Sequence, residues 1–131
     1  MIISNKGYVV KNQDIRAQLS KIEAQLRAEI RLELLQHHID NQQLNTIQQM
    51  DLSNLIDYLS EIKLSDTCLF ERLMRLDAAV CQLDLGLYGL CSDCESEIEV
   101  SRLQQDPTEQ RCSVCASRYQ QEHRHELRLN H

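Results

Sequence analysis

Four of the six cysteines have the spacing of a metal site. They form two C-x-x-C pairs, Cys91 with Cys94 and Cys112 with Cys115, and 17 residues separate the two pairs. Each pair can bring two thiolates to one small cation, and two pairs complete the tetrahedral sulfur shell that suits Zn2+. Four thiolates leave no open position for water or substrate, so the spacing predicts one structural zinc ion. Iron in the same shell is the alternative that spacing leaves open.

Other residues with reactive side chains give weaker signals. Cys68 and Cys81 lie beside apolar positions of a helical pattern and are expected to be buried, inert thiols. Four histidines on helical segments are expected to face solvent: His37, His38, His123 and His125. The alternatives are metal binding by His123 and His125, and metal binding or pH sensing by His37 and His38. No activated nucleophile and no pocket-forming pattern is visible, so the chain is not expected to be an enzyme.

Charge and hydropathy exclude several classes of partner. The net charge is −6, and residues 88–131 contain five Arg against eight Asp or Glu. Because a DNA-binding surface needs a basic face, no direct sequence-specific DNA binding is expected. The sequence has no apolar run of about 18 residues and no apolar signal-peptide core at its beginning. It therefore predicts a cytoplasmic protein that does not bind a membrane.

The cysteine pairs follow a long helical body. Residues 8–85 contain neither Gly nor Pro, which excludes the frequent turns of a sandwich or barrel. In the second half of this stretch, apolar residues recur at alternating steps of four and three, as in a coiled coil. They are Leu55, Leu59, Ile62, Leu69, Leu73, Leu76, Val80, Leu83 and Leu87, with Asp66 at the one charged position.

The first half shows the same period from Ile15 to Leu26, then takes two steps of four through Ile30 to Leu34, and loses the pattern in a polar segment, residues 41–54. Asp51 or Ser53 could cap a second helix there. The sequence therefore predicts a mainly α fold, with two helices of ~35 residues in a long antiparallel coiled-coil hairpin. A small four-cysteine zinc-finger module with a C-terminal helix follows the hairpin. One continuous helix in a parallel dimer is the less favoured alternative, and the intramolecular hairpin predicts a monomer.

Three regions result from these patterns. Residues 1–10 form an N-terminal arm, and residues 11–87 form the antiparallel coiled coil with its tip near 45–53. Residues 88–131 contain the zinc finger and the C-terminal helix.

The predicted tip half of the hairpin is acidic. Residues 32–62 contain no Lys or Arg, and they contain Glu33, Asp40, Asp51, Asp57 and Glu61. An isolated coiled coil normally mixes both signs of charge, so this bias suggests that the segment enters a basic or metal-containing cavity. The ordinary alternative is a solvated face.

Residues 88–115 resemble the zinc finger of the DksA/TraR family, whose members are bacterial regulators that bind RNA polymerase directly. The shared features are the cysteine spacing, Tyr88 and Gly89 before the first cysteine, an I-x-x-x-R-L run from Ile98 to Leu103, and Pro107 followed by Thr108. The full-length DksA-like branch also has a long coiled coil before the finger. The resemblance implies that the hairpin enters the secondary channel of the polymerase, brings acidic tip residues near the catalytic Mg2+ and alters promoter-complex lifetime.

The resemblance also assigns individual positions. The family's tip pattern falls on Gln48, Asp51 and Ser53, of which only Asp51 matches. Arg75 matches one basic position of the family's ppGpp site and is a possible residual contact. Two other basic positions are occupied by Asp106 and Ala116, so little dependence on ppGpp is expected.

The sequence thus favours a non-enzymatic transcription regulator that acts on polymerase. A coiled-coil adaptor with a structural zinc site is one alternative, and its oligomeric state would distinguish it from a monomeric hairpin. A zinc-responsive protein is another alternative, and it would release Zn2+ to physiological chelators.

Overall fold

The computed structural model describes the backbone of residues 12–64 and 68–129 and the side chains of residues 14–64 and 68–122. Within these ranges the chain is mainly helical, with one isolated antiparallel bridge and no longer strand. The helices are α1 (Asn12–Gln36), α2 (Asn41–Gln48), α3 (Leu52–Glu61), α4 (Cys68–Asp84), α5 (Val100–Gln105) and α6 (Ser113–Leu129). The predicted N-terminal arm, residues 1–10, and the seam position Asp66 lie outside the described residues.

Helices α1 and α4 form the predicted antiparallel hairpin. Arg16 near the start of α1 donates to Asp84 at the end of α4 over 2.8 Å, and Arg72 pairs with Glu29 through two bonds of 3.0 Å. These exposed ion pairs mark the register, while the buried apolar seam supplies most of the stability. The seam consists of Ile15, Leu19, Leu26, Ile30 and Leu34 on α1 and Leu73, Leu76, Ala79 and Leu83 on α4.

The two helices of ~35 residues are replaced by four shorter helices, because α2 and α3 fold back against the hairpin. The Arg27 guanidinium donates to the carbonyl oxygens of Met50 over 2.7 Å and Gln48 over 3.3 Å. The Gln48 amide donates in return to the Arg27 carbonyl. Arg27 lies nine residues before the end of α1, a distance of about 14 Å along the helix. Residues 48–50 of the predicted tip therefore lie beside the middle of α1.

Two matching turns end helices α1 and α3. His38 and Lys63 have left-handed φ angles of 62° and 67°. The N–H of Ile39 donates to the carbonyl of Leu34, and the N–H of Leu64 donates to that of Leu59. This is the Schellman motif, which usually places Gly at the left-handed position. For other residues that conformation costs about 1–2 kcal/mol, and no Gly in this stretch signals the turn.

Aspartates start the two short helices. Asp40 Oδ1 accepts a bond of 2.8 Å from the N–H of Gln43, and Asp51 Oδ1 accepts an equal bond from the N–H of Asn54. Asp51 is thus the N-cap predicted for the second helix, although the helix that it starts ends at Glu61. The apolar faces of α2 and α3 are buried, with Leu44, Ile47, Leu55 and Leu59 at most 3% exposed. Within the described ranges, no helix combines the length and hydropathy needed to cross a bilayer.

Leu26→Ala should test the seam. Leu26 is fully buried on α1, so the cavity left by the missing side chain should lower the free energy of unfolding by about 2–5 kcal/mol. Leu32 lies on the same helix but is 63% exposed, so Leu32→Ala should change it by less than about 0.5 kcal/mol. Urea unfolding followed by circular dichroism measures both variants, and equal losses would contradict this assignment of the buried face.

Candidate metal centre

The four cysteines of the two C-x-x-C pairs meet in space. Their Sγ atoms all lie within 4.8 Å of one another, and the Sγ atoms of Cys94 and Cys112 are 3.8 Å apart. A tetrahedral zinc ion with bonds of about 2.3 Å to sulfur needs sulfur atoms about 3.8 Å apart. The cluster therefore has the donor type and the size of a four-sulfur zinc shell. Among the described residues, it is the one group of three or more His, Cys, Asp or Glu that could hold a metal ion.

A tight turn positions the first cysteine pair. The N–H of Glu95 donates to the carbonyl of Cys91, and the N–H of Cys91 donates to that of Ser96. Glu95 has a left-handed φ of 62°, which lets the chain reverse directly after Cys94. The N–H of Ser92 donates to the carbonyl of Gln110 over 2.8 Å and so joins this turn to the second pair.

The start of α6 positions the second pair. Cys112 directly precedes the helix and Cys115 lies in its first turn. The carboxylate of Glu99 accepts from the N–H of Ser113 over 3.0 Å and from its hydroxyl over 2.6 Å. The bond from the backbone N–H satisfies one of the donors that have no intrahelical partner at the helix N-terminus. The bonds from Ser113 lower the pKa of Glu99.

The sulfurs differ in proton affinity before any cation binds. Burial raises the pKa of Cys91, but bonds from the backbone N–H groups of Cys112, Cys94 and Asp93 outweigh it and lower the pKa to about 6. Thiol hydrogen bonding with Cys112, together with burial, raises the pKa of Cys115 to about 12. Four adjacent thiolates cannot all form without a compensating cation, so binding Zn2+ must displace protons. The bound ion would stabilise the module and would leave no position for a substrate.

The module attaches to α4 through Arg75. Arg75 forms an ion pair with Asp106, and Gln110 reaches the Arg75 carbonyl over 3.5 Å. The backbone N–H and hydroxyl of Thr108 donate to Asp106. Burial opposes ionisation of Asp106, but these bonds and the nearby guanidinium hold its pKa below the ordinary value. Arg75, the possible ppGpp contact, is therefore already engaged by an acidic residue of the chain.

The tip positions assigned by resemblance lie beside α1 and α4. Asp51 and Ser53 are exposed and Gln48 is half-buried, on the folded-back α2 and α3 segment. Ser53 lines a shallow groove between α3 and α4 together with Ile56, Asp57, Met74 and Asp77. Burial, and to a smaller degree the charge of Asp51, raises the pKa of Asp77. The structure thus brings Asp51 near Asp77 of α4.

Other sequence-based assignments are partly corrected. Cys68 and Cys81 are exposed, so the prediction of buried thiols is wrong, because both flank the seam on its solvent side. His37 and His38 are exposed as expected, whereas the side chains of His123 and His125 lie outside the described residues. The hydrogen bonds from Arg27 to the carbonyl groups of Gln48 and Met50 were not predicted, because no sequence motif marks an arginine that binds carbonyl groups of a distant segment.

Cys112→Ser should abolish zinc binding. Wild-type protein should contain one zinc ion per chain, and the variant should lose it because three thiolates no longer close the shell. Hydrogen exchange should then accelerate in residues 86–121, while helix α1 keeps its protection through the apolar seam. Cys68→Ser is the control, since Cys68 lies outside the cluster. Elemental analysis decides the outcome, and iron in anaerobically purified protein, or zinc retained by Cys112→Ser, would contradict the assignment.

Comparison with known proteins supports the same chemistry. Residues 86–121 match the family model described as the prokaryotic dksA/traR C4-type zinc finger. This range contains both cysteine pairs, α5 and the first half of α6, and the helical body lies outside it. No curated protein and no solved structure gives a significant match. The matched family is transcription-related and zinc-binding, and residues 86–121 of this chain are similar to its C4-type zinc finger.

Proposed function

We propose that this chain is a non-enzymatic transcription regulator that binds bacterial RNA polymerase directly and enters its secondary channel. The observation that carries the proposal is a DksA/TraR zinc finger joined to a helical hairpin whose residues 32–62 contain no Lys or Arg. A channel that ends at a catalytic metal ion favours acidic groups and disfavours cations. The absence of Lys and Arg from residues 32–62 therefore agrees with RNA polymerase, the partner that the family suggests.

The junction between finger and hairpin supports this role. Only Leu85, Gly86 and Leu87 separate the end of α4 from the buried Tyr88, whose hydroxyl donates to the carbonyl of Pro107 over 2.7 Å. Asp106 binds Arg75 of α4 from the same side. These contacts hold the finger against α4, so a partner that binds the finger also orients the hairpin.

Asp51 is the carboxylate that we propose acts near the polymerase active site. A negative charge close to the catalytic Mg2+ would change the electrostatics of the site and hence the lifetime of promoter complexes. Asp51 is exposed, and its cap bond to Asn54 uses one of its two carboxylate oxygens.

Direct binding to purified bacterial RNA polymerase tests the proposed partner. Wild-type protein should bind at micromolar concentration or below, and added salt should weaken the binding, because charged surfaces form part of the interface. Absence of binding at micromolar concentration would overturn the proposal and favour the adaptor.

Asp51→Asn should abolish the effect on promoter-complex lifetime while leaving polymerase affinity unchanged. Asn caps a helix about as well as Asp, so stability should change by less than about 0.5 kcal/mol and only the charge is lost. Asp40→Asn is a matched control, because Asp40 caps α2 with the same 2.8 Å geometry. Promoter-complex lifetime and polymerase affinity should be measured for all three proteins. An unchanged lifetime with Asp51→Asn would make Asp51 a cap alone.

Adding ppGpp should change the activity of this protein little. A polyanion needs several charge-assisted bonds to offset its desolvation, and here Arg75 is paired with Asp106 while Ala116 offers no charge. In vitro transcription with a polymerase that lacks its other ppGpp site isolates the contribution of this chain. A large additional effect of ppGpp in that assay would show that other residues bind it.

A further inference from the structure

The groove between α3 and α4 combines apolar and acidic side chains. Its volume is about 200 Å3, and it is lined by Ser53, Ile56 and Asp57 of α3 and by Met74 and Asp77 of α4. The lining positions are three or four residues apart on each helix, so each helix turns one face towards the groove. Met74 is 48% exposed, which leaves the apolar part of the lining open to a partner.

The carboxylates of the groove are not neutralised by the helices that carry them. In the part of the chain that the structure describes, neither Asp57 nor Asp77 forms an ion pair. Helix α3 contains no Lys or Arg. Arg72 and Arg75, the two arginines of α4, bind carboxylates outside the groove. Both aspartates are therefore available to a cation from a partner.

The carboxylate of Asp77 does not help the chain to fold. Burial, and to a smaller degree the charge of Asp51, raises the pKa of Asp77 above its ordinary value. A carboxyl group with a higher pKa in the folded state than in the unfolded state destabilises the folded protein as the pH rises through the folded-state pKa. A partly buried carboxylate that disfavours folding and borders a groove is typical of a binding site.

We propose that this groove binds one lysine or arginine side chain of RNA polymerase, an inference that rests on the proposed function. A long basic side chain has an apolar stem and a charged end. The stem is complementary to Ile56 and Met74, and the charged end is complementary to Asp57 and Asp77. An aliphatic side chain would bury the carboxylates without a partner, and an acidic side chain would be repelled. Charge complementarity therefore selects a basic occupant.

The groove lies on the helix that Asp51 caps. Ser53, two residues after Asp51, is part of the lining, whereas Asp51 itself is not. A polymerase side chain held in the groove would therefore fix the position of Asp51 relative to the polymerase. In this arrangement Asp57 and Asp77 supply affinity, and the charge of Asp51 acts on the promoter complex.

Neutralising variants test the groove. Asp57→Asn and Asp77→Asn should each weaken the affinity of the zinc-bound protein for purified RNA polymerase about tenfold, because each removes a charge-assisted hydrogen bond. The urea midpoint of Asp77→Asn should stay the same or rise, because the variant lacks the ionised group that disfavours folding. Glu71→Gln is the matched control, since Glu71 is exposed on α4 and does not line the groove, and its affinity should equal that of wild type.

Photocrosslinking identifies the occupant of the groove. Benzoylphenylalanine in place of Met74 should crosslink to a polymerase segment that contains Lys or Arg, and mass spectrometry locates that segment. Replacing its basic residue with Ala should weaken the binding of wild-type protein about tenfold. The same replacement should not weaken the binding of the double variant Asp57→Asn, Asp77→Asn any further, because the two partners form one interaction.

Each possible result decides the inference. Wild-type affinity in both Asp57→Asn and Asp77→Asn would overturn the groove and leave the proposed function intact. A crosslinked segment without Lys or Arg would also overturn it, as would a loss of affinity explained by a lower urea midpoint. If the wild-type protein itself does not bind polymerase, the proposed function fails and this inference fails with it.

Discussion

Every other part of the molecule depends on the apolar seam between α1 and α4. Leu26, Leu34, Leu73 and Leu76 are fully buried there, and the seam is long enough to hold two helices together without a globular core. The seam aligns α1 and α4 along one common axis. The finger follows α4 and contacts Arg75 near the middle of that helix, and the acidic segments lie between the end of α1 and the start of α4. The finger directly follows α4, and the acidic segments directly adjoin α1 and α4. The seam therefore determines where the metal module and the carboxylates lie relative to each other.

Sequence patterns predicted the features that rest on local chemistry. The spacing of Cys91, Cys94, Cys112 and Cys115 predicted the cluster, since two C-x-x-C turns have few other ways to satisfy four thiolates. The three-four period predicted a helical hairpin, because it specifies which faces are buried. The bends at His38 and Lys63 escaped prediction for the same reason. Burial of Leu55 and Leu59 is satisfied equally well by a straight helix and by a folded-back one, so periodicity alone does not distinguish them.

Long-range polar contacts were the other feature that the sequence did not reveal. Arg27 binds carbonyl groups more than 20 residues away, and any segment with free carbonyls could have accepted those bonds. Arg75 with Asp106 is a more informative case, because an acidic residue occupies a position that the family resemblance would make basic. In this chain Asp106 forms an internal ion pair with Arg75. A pair that is about two-fifths exposed contributes little to stability, so its main effect is to occupy the guanidinium.

The metal links the cysteine cluster to the orientation of the finger on α4. Tyr88, Ile98 and Leu103 are the large buried apolar groups of the finger outside the cysteines, and so few groups cannot offset the conformational entropy of ordering some 35 residues. A zinc ion supplies the missing stabilisation, since its binding energy is also folding energy. The contacts of Asp106 and Gln110 with Arg75 belong to this same loop system, so they too exist only while the finger is folded. Zinc therefore holds the finger in a fixed orientation on α4, and so fixes its position relative to the hairpin.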